Sequence, residues 1–175
     1  PSRGRPVRRG GAARAGGRMN SFASARERVG AVDLAGRTLL VPSMHPVGSA
    51  LLAACFRAIG VEAVVMETGA GLDLGREYTS GKECYPCQIT LGDVLRHLQA
   101  ERARLGPAFS ADRYAYFMPE STGPCRFGMY NKMHRLVLDR FEEYRAIPIA
   151  AITTSDSYGA GGLVPRRDAA AMIAM

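Results

Sequence analysis

Short apolar runs alternate along the chain with stretches of helical spacing. Leu39 to Ser43 reads as a buried strand, and Val61 to Glu67, rich in valine, as a second. Arg113 to Met118 and Ile147 to Thr153 complete the strand set. Between them, apolar residues recur with helical period over Ser49 to Ile59, which Gly60 ends, over Gln88 to Ala100, and over Phe127 to Tyr144. Residues 68–83, with four glycines, and 119–126 read as loops. A Ser/Gly loop and a further helix-like stretch, Arg166 to Met175, follow the last strand. The order β-α-β-α-β-α-β-α predicts an α/β fold: a doubly wound, mostly parallel sheet with helices on both faces and right-handed crossovers.

In such sheets ligands bind beyond the carboxyl ends of the strands. The loops expected there carry Met44-His45-Pro46, Cys84 with Cys87, Cys125, and Ser155-Asp156-Ser157. Nearly all of the chemically notable residues therefore fall on one predicted rim.

Charge changes the picture only at the amino end. The net charge is +7, and residues 1–28 alone hold eight Arg and one Glu. The rest of the chain is neutral. The first segment is rich in Arg, Gly, Ala and Ser and has no apolar period, so it reads as a disordered tail or linker. A nucleic-acid or anionic-lipid role for it is the less favoured reading. Residues 29–175 read as one globular domain. The chain starts with Pro1 and stops inside a helix-like stretch, which suggests a piece of a longer polypeptide. No stretch is apolar and long enough to span a membrane. Four cysteines at irregular spacing point to a reducing compartment, the cytoplasm.

Three of those cysteines lie in two motifs, Gly81-Lys82-Glu83-Cys84-Tyr85-Pro86-Cys87 and Gly123-Pro124-Cys125-Arg126-Phe127-Gly128. Each follows a strand-like run and opens a helix-like one. A helix amino end presents unpaired N–H groups and partial positive charge, which lowers a thiol pKa and favours the thiolate needed for ligation. The pair at i, i+3 suits one metal ion or cluster. An iron–sulfur cluster, a zinc site and a thioredoxin-like dithiol all fit the C-x-x-C alone. A third cysteine on a neighbouring loop favours ligation over a redox dithiol. Cys55, within a helical apolar stripe, reads as a core cysteine. His97 and His134 fall inside helices and read as solvent-facing or half-buried. His45 is the histidine best placed for a pocket. Glu83 and Glu120 flank the cysteine loops and suit potential tuning, proton movement or capping. Lys82 and Arg126 suit charge compensation. There is no P-loop and no nucleophile elbow. Gly69-Ala70-Gly71 is half of a dinucleotide fingerprint, without its third glycine.

The first motif with Gly92-Asp93, and the run Phe-Met-Pro-Glu-Ser-Thr-Gly-Pro-Cys-Arg-Phe-Gly-Met-Tyr over residues 117–130, resemble the 2-hydroxyacyl-CoA dehydratase superfamily. The likeness covers roughly residues 36–160 and is nearest to the dehydratase-like segment of the large CoA-substrate-specific activases. It implies a [4Fe–4S] cluster held by three cysteines with one iron open, and hence Cys84, Cys87 and Cys125 as its ligands. It also implies low-potential electron transfer in anaerobic metabolism, driven by ATP hydrolysis in an activase, with an ATP-binding activase domain or a dehydratase subunit as partner and an acyl-CoA as possible substrate. No motif of an actin-like ATP-binding domain occurs in this chain.

Overall fold

The computed structural model describes residues 28–30 and 32–152. Among the described residues, five strands form one all-parallel sheet. They are β1 (Val29–Gly30), β2 (Thr38–Val41), β3 (Ala63–Val65), β4 (Tyr114–Phe117) and β5 (Ile149–Ala150), in the order β1-β5-β4-β2-β3. The helices are α1 (Pro46–Ala58), α2 (Leu72–Glu77), α3 (Tyr85–Leu105) and α4 (Tyr130–Leu138), with a 3-10 turn over Arg126–Met129 leading into α4. The doubly wound α/β fold expected from the alternation is the one found.

Residues on β2, β4 and β5 point alternately to two cores. Leu40, Tyr116, Met118 and Ile149 pack with α3 and α4, through Leu91, Leu95, Leu98, Val137 and Leu138. Leu39, Val41, Ala115, Phe117 and Ala150 pack on the other side with Ala53 and Phe56 of α1. Phe56 meets Phe117 edge-on at 5.7 Å, a pair worth about 1 kcal/mol beyond the area it buries. The chain moves towards β3 through α1 and towards β5 through α4. Right-handed crossovers in opposite directions require helices on opposite faces. The switch point lies between β2 and β4.

Four elements differ from the sequence reading. Val29–Gly30 forms the edge strand beside β5, unmarked by any apolar run. Residues 68–83 contain α2. The helix expected over Phe127 to Tyr144 ends at Leu138, because fully buried Arg135 binds Asp139 and donates to the carbonyls of Arg145 and Ile147, which turns the chain back toward the sheet. The last strand is only two residues long, although its ladder continues: Glu120 N–H donates to Ile152 O at 2.9 Å. Ser155-Asp156-Ser157, Arg166 to Met175 and the basic tail before Arg28 lie outside the described residues.

The packing of α2 on α3 is backbone on backbone. A Cβ at Gly71 would sit 2.1 Å from Gly92 O, and one at Gly75 only 1.9 Å from Gln88 O. Asp93, 3% exposed, completes the joint by accepting from Gly69 N–H at 3.0 Å and Gly71 N–H at 3.2 Å. The glycines therefore serve helix contact rather than a nucleotide. Over-packing a fitted contact typically costs 1–3 kcal/mol, and here the obstacle is rigid backbone. Gly92→Ala should lower the unfolding free energy by about 3 kcal/mol in urea titration, whereas Gly36→Ala, which meets no neighbour, should cost less.

Candidate metal centre

Both cysteine motifs arrive at the carboxyl edge of the sheet on the α3/α4 side. Cys84 is the N-cap residue of α3, with extended φ −59° and ψ 141°, and Cys87 lies in the first turn. Pro86 suits this turn because its missing N–H has no intrahelical partner to lose. Cys125 caps the 3-10 turn that opens into α4. Arg126 Nη1 donates to Lys82 O at 2.8 Å and ties the two cysteine loops together. Between them is a hollow of about 300 Å³, lined by Cys84, Cys87, Met129, Tyr130, Met133 and Leu136, with Lys82, Glu83 and Arg126 also on its wall.

Tyr130 is the common neighbour of the thiols. Its phenol lies beside Cys84 and within electrostatic reach of Cys87 and Cys125; burial, then these neighbours, push its ionisation well above the usual range. Cys87 is 2% exposed, Cys84 half-buried and Cys125 exposed. Among the described residues no three His, Cys, Asp or Glu side chains stand close enough together to hold a metal ion. Cys84 and Cys87 line the hollow, and Cys125 stands on the adjoining loop rather than in its wall.

The expectation that a helix amino end lowers the thiol pKa fails at Cys87. Burial, with Glu83 and Cys84 close by, pushes that thiol up to about 12. Desolvation outweighs the helix dipole because the side chain points into the core. Without a ligand Cys87 is a protonated thiol; a coordinated metal would remove that proton outright.

The flanking residues have defined partners. Glu83 accepts from the N–H and hydroxyl of Ser80. Burial acts to raise its pKa, but these bonds and its own backbone N–H hold it below the usual carboxylate range. Glu120 pairs with Lys132 and accepts from Asn131 Nδ2 at 3.2 Å. The same segment leaves Ser121 Oγ and Asn131 Oδ1 buried with no hydrogen-bond partner among the described residues. His45 caps α1, its Nδ1 accepting from Gly48 N–H at 3.0 Å. It lines a separate hollow at the switch point, of about 250 Å³, with Phe117, Pro119 and Ile152, and shares none of the cysteine hollow. Cys55 is half-buried rather than core and sits on α1, on the opposite face of the sheet from the cysteine motifs.

His134 is the residue that sequence reasoning misplaced. It is fully buried, not half-exposed. Its Nε2 lies 3.6 Å from Cys87 Sγ and its Nδ1 3.2 Å from the Tyr116 hydroxyl. The signal was present: Tyr130, His134, Val137 and Leu138 form the buried stripe of α4. Burial lowers the His134 pKa from 6.5 to about 4, so the ring is neutral at pH 7. A lowered folded-state pKa means that the unfolded chain binds the extra proton first. The stabilising contribution is therefore complete above pH 6.5 and is lost as pH falls toward 4, on the order of 3 kcal/mol in all. Urea unfolding of the metal-free protein between pH 7 and pH 4 should show this slope, and His134→Gln should flatten it.

Among the described residues no helix is long and apolar enough to cross a membrane. No protein-family model matches the chain, and no curated protein or solved structure matches it.

Proposed function

We propose that this domain holds a [4Fe–4S] cluster through Cys84, Cys87 and Cys125 and passes low-potential electrons in a 2-hydroxyacyl-CoA dehydratase or activase type of system. The observation that carries the reading is that two motifs, 38 residues apart from Cys87 to Cys125, meet at one edge of the fold, where Arg126 of the second is bonded to Lys82 O of the first. The donors are soft thiols, which suit iron–sulfur or zinc over harder cations. Two of them line a largely apolar hollow, and the third stands on an exposed loop beside it.

Such a cluster, when bound, supplies one-electron chemistry whose potential depends on charge, hydrogen bonds to sulfur and solvent exposure. The chain's own groups act on those variables. Lys82 and Arg126 place positive charge beside the hollow. Buried Cys87 keeps water from one side, and exposed Cys125 keeps the other side open to a partner. Cys55, across the sheet, is outside the ligand set, which leaves a fourth position to substrate or a small ligand. The chain has no P-loop, so the ATP-dependent step belongs to an activase domain or to a dehydratase subunit bound in trans. An acyl-CoA is the implied substrate of that system, and thiol ligation suits the reducing cytoplasm.

A dithiol oxidoreductase is the second reading, favoured by the fact that only Cys84 and Cys87 line the hollow. Anaerobic reconstitution with iron and sulfide separates the two. The cluster reading predicts broad absorption near about 400 nm and loss of most iron and acid-labile sulfide on replacing Cys84, Cys87 or Cys125 with Ala, with no loss for Cys55→Ala. Full iron retention by Cys125→Ala would sink the shared site. A chain that stays colourless and instead forms a reversible Cys84–Cys87 disulfide would establish the dithiol.

A further inference from the structure

Helix α1 is apolar on two opposite sides. Ser49, Ala53 and Phe56 face the sheet and are buried. The helical repeat puts Val47, Leu51, Ala54 and Ala58 on the far side, in line with Met44 just before the helix. All five are exposed, Met44 at 47%, Val47 at 63% and Leu51 at 61%. Their spacing of three, four, three and four residues is that of a helix-packing seam. The helix has one charged residue, Arg57, and its guanidinium is committed to Ala63 O at 2.8 Å. An outward helix face is ordinarily polar, and this one is not. Of the six large apolar side chains exposed among the described residues, three lie on this stripe. Clustered exposed apolar side chains mark an interaction surface.

The stripe is graded in size. Met44 and Val47 make its amino end bulky, whereas Ala54 and Ala58 make its carboxyl end small. A helix that fits it must be small where α1 is large. The same helix run in reverse meets that need. About a two-fold axis, Leu51 of one copy lies against Val47 of the other, and Met44 against Ala54. The helix dipoles then oppose, and the two Arg57 side chains stand at opposite ends. We propose that a second copy of this chain covers α1, in a reversible dimer paired antiparallel along Met44, Val47, Leu51 and Ala54. Area sets its strength. A helix of 13 residues is about 20 Å long and about 10 Å wide. One such face buries on the order of 400 Å² a copy, short of the roughly 800 Å² a copy of a stable interface, so the dimer is weak and exchanging. Met44 also lines the switch-point hollow, so the second copy borders the place where doubly wound sheets take ligands. None of the thiols takes part, and the pairing is independent of the cluster reading.

Sedimentation equilibrium of the metal-free full chain tests this, under reductant so that exposed Cys125 cannot cross-link copies. The mass should rise from one chain toward two, with half-association at ~100 µM, as suits a small transient interface. Leu51→Glu should weaken association by about tenfold or more. Its urea midpoint should stay unchanged, because the side chain is largely exposed in the single copy. Ala54→Leu separates the paired register from general stickiness. It should weaken association, because Met44 of the other copy occupies that space; a tighter dimer would overturn the proposal. A chain that stays single up to ~1 mM would overturn it as well. A single chain that Leu51→Glu strongly destabilises would instead assign the face to another part of the same polypeptide, which also overturns the second copy.

Discussion

The approach of Gly71 and Gly75 to the backbone of α3 is the constraint on which the cysteine region depends. The Cβ positions of both would overlap α3 carbonyl oxygens, at Gly92 and Gln88. Only glycine lets α2 lie this close, and Asp93 fastens the joint by gathering two loop N–H groups. The short segment from Tyr78 to Cys84 runs from this joint to the start of α3, where Cys84 is the N-cap and Cys87 is buried in the first turn. Burial pushes the Asp93 pKa up, and the N–H bonds from Gly69 and Gly71 oppose that shift.

The carboxyl edge divides into two chemical settings. On the α3/α4 face, Cys84, Cys87, two basic residues and a phenol line a largely apolar hollow. On the α1 face, the switch-point hollow is lined chiefly by apolar residues, with His45 committed to capping. Among the described residues the two cysteine motifs therefore lie on one side of the sheet, and Cys55 on the other. Behind that chemistry, the core is not purely apolar: Tyr116, His134 and Cys87 form a connected polar line through it. Buried polar groups are tolerated when they are satisfied by one another, and these are.

Much of this was legible in the sequence. Strands β2 and β4 announced themselves as apolar runs, and α1 and α3 by their period. The cysteine motifs lay where the alternation placed them, at helix starts on the strand-end rim. What the pattern hid has physical causes. A two-residue edge strand such as Val29–Gly30 carries no period to read. The helix α2 was masked by glycines whose role is contact rather than flexibility. The early end of α4 depends on Arg135 reaching carbonyls ten and twelve residues ahead, which no local window detects. His45 does line a rim hollow, but its capping bond to Gly48 is a matter of rotamer that the pattern does not show. The rise in the Cys87 pKa reflects depth of burial, which outweighs the helix-end effect that its position alone suggests.

The central claim is that thiols from two separate loops share one iron–sulfur site. Iron K-edge X-ray absorption of the anaerobically reconstituted chain tests it most directly. The account predicts a first shell of sulfur with iron–iron scattering beyond it, and replacement of part of that sulfur shell by a lighter scatterer in Cys125→Ser. A first shell of oxygen or nitrogen without iron–iron scattering in the wild type, or a shell unchanged in Cys125→Ser, would contradict it.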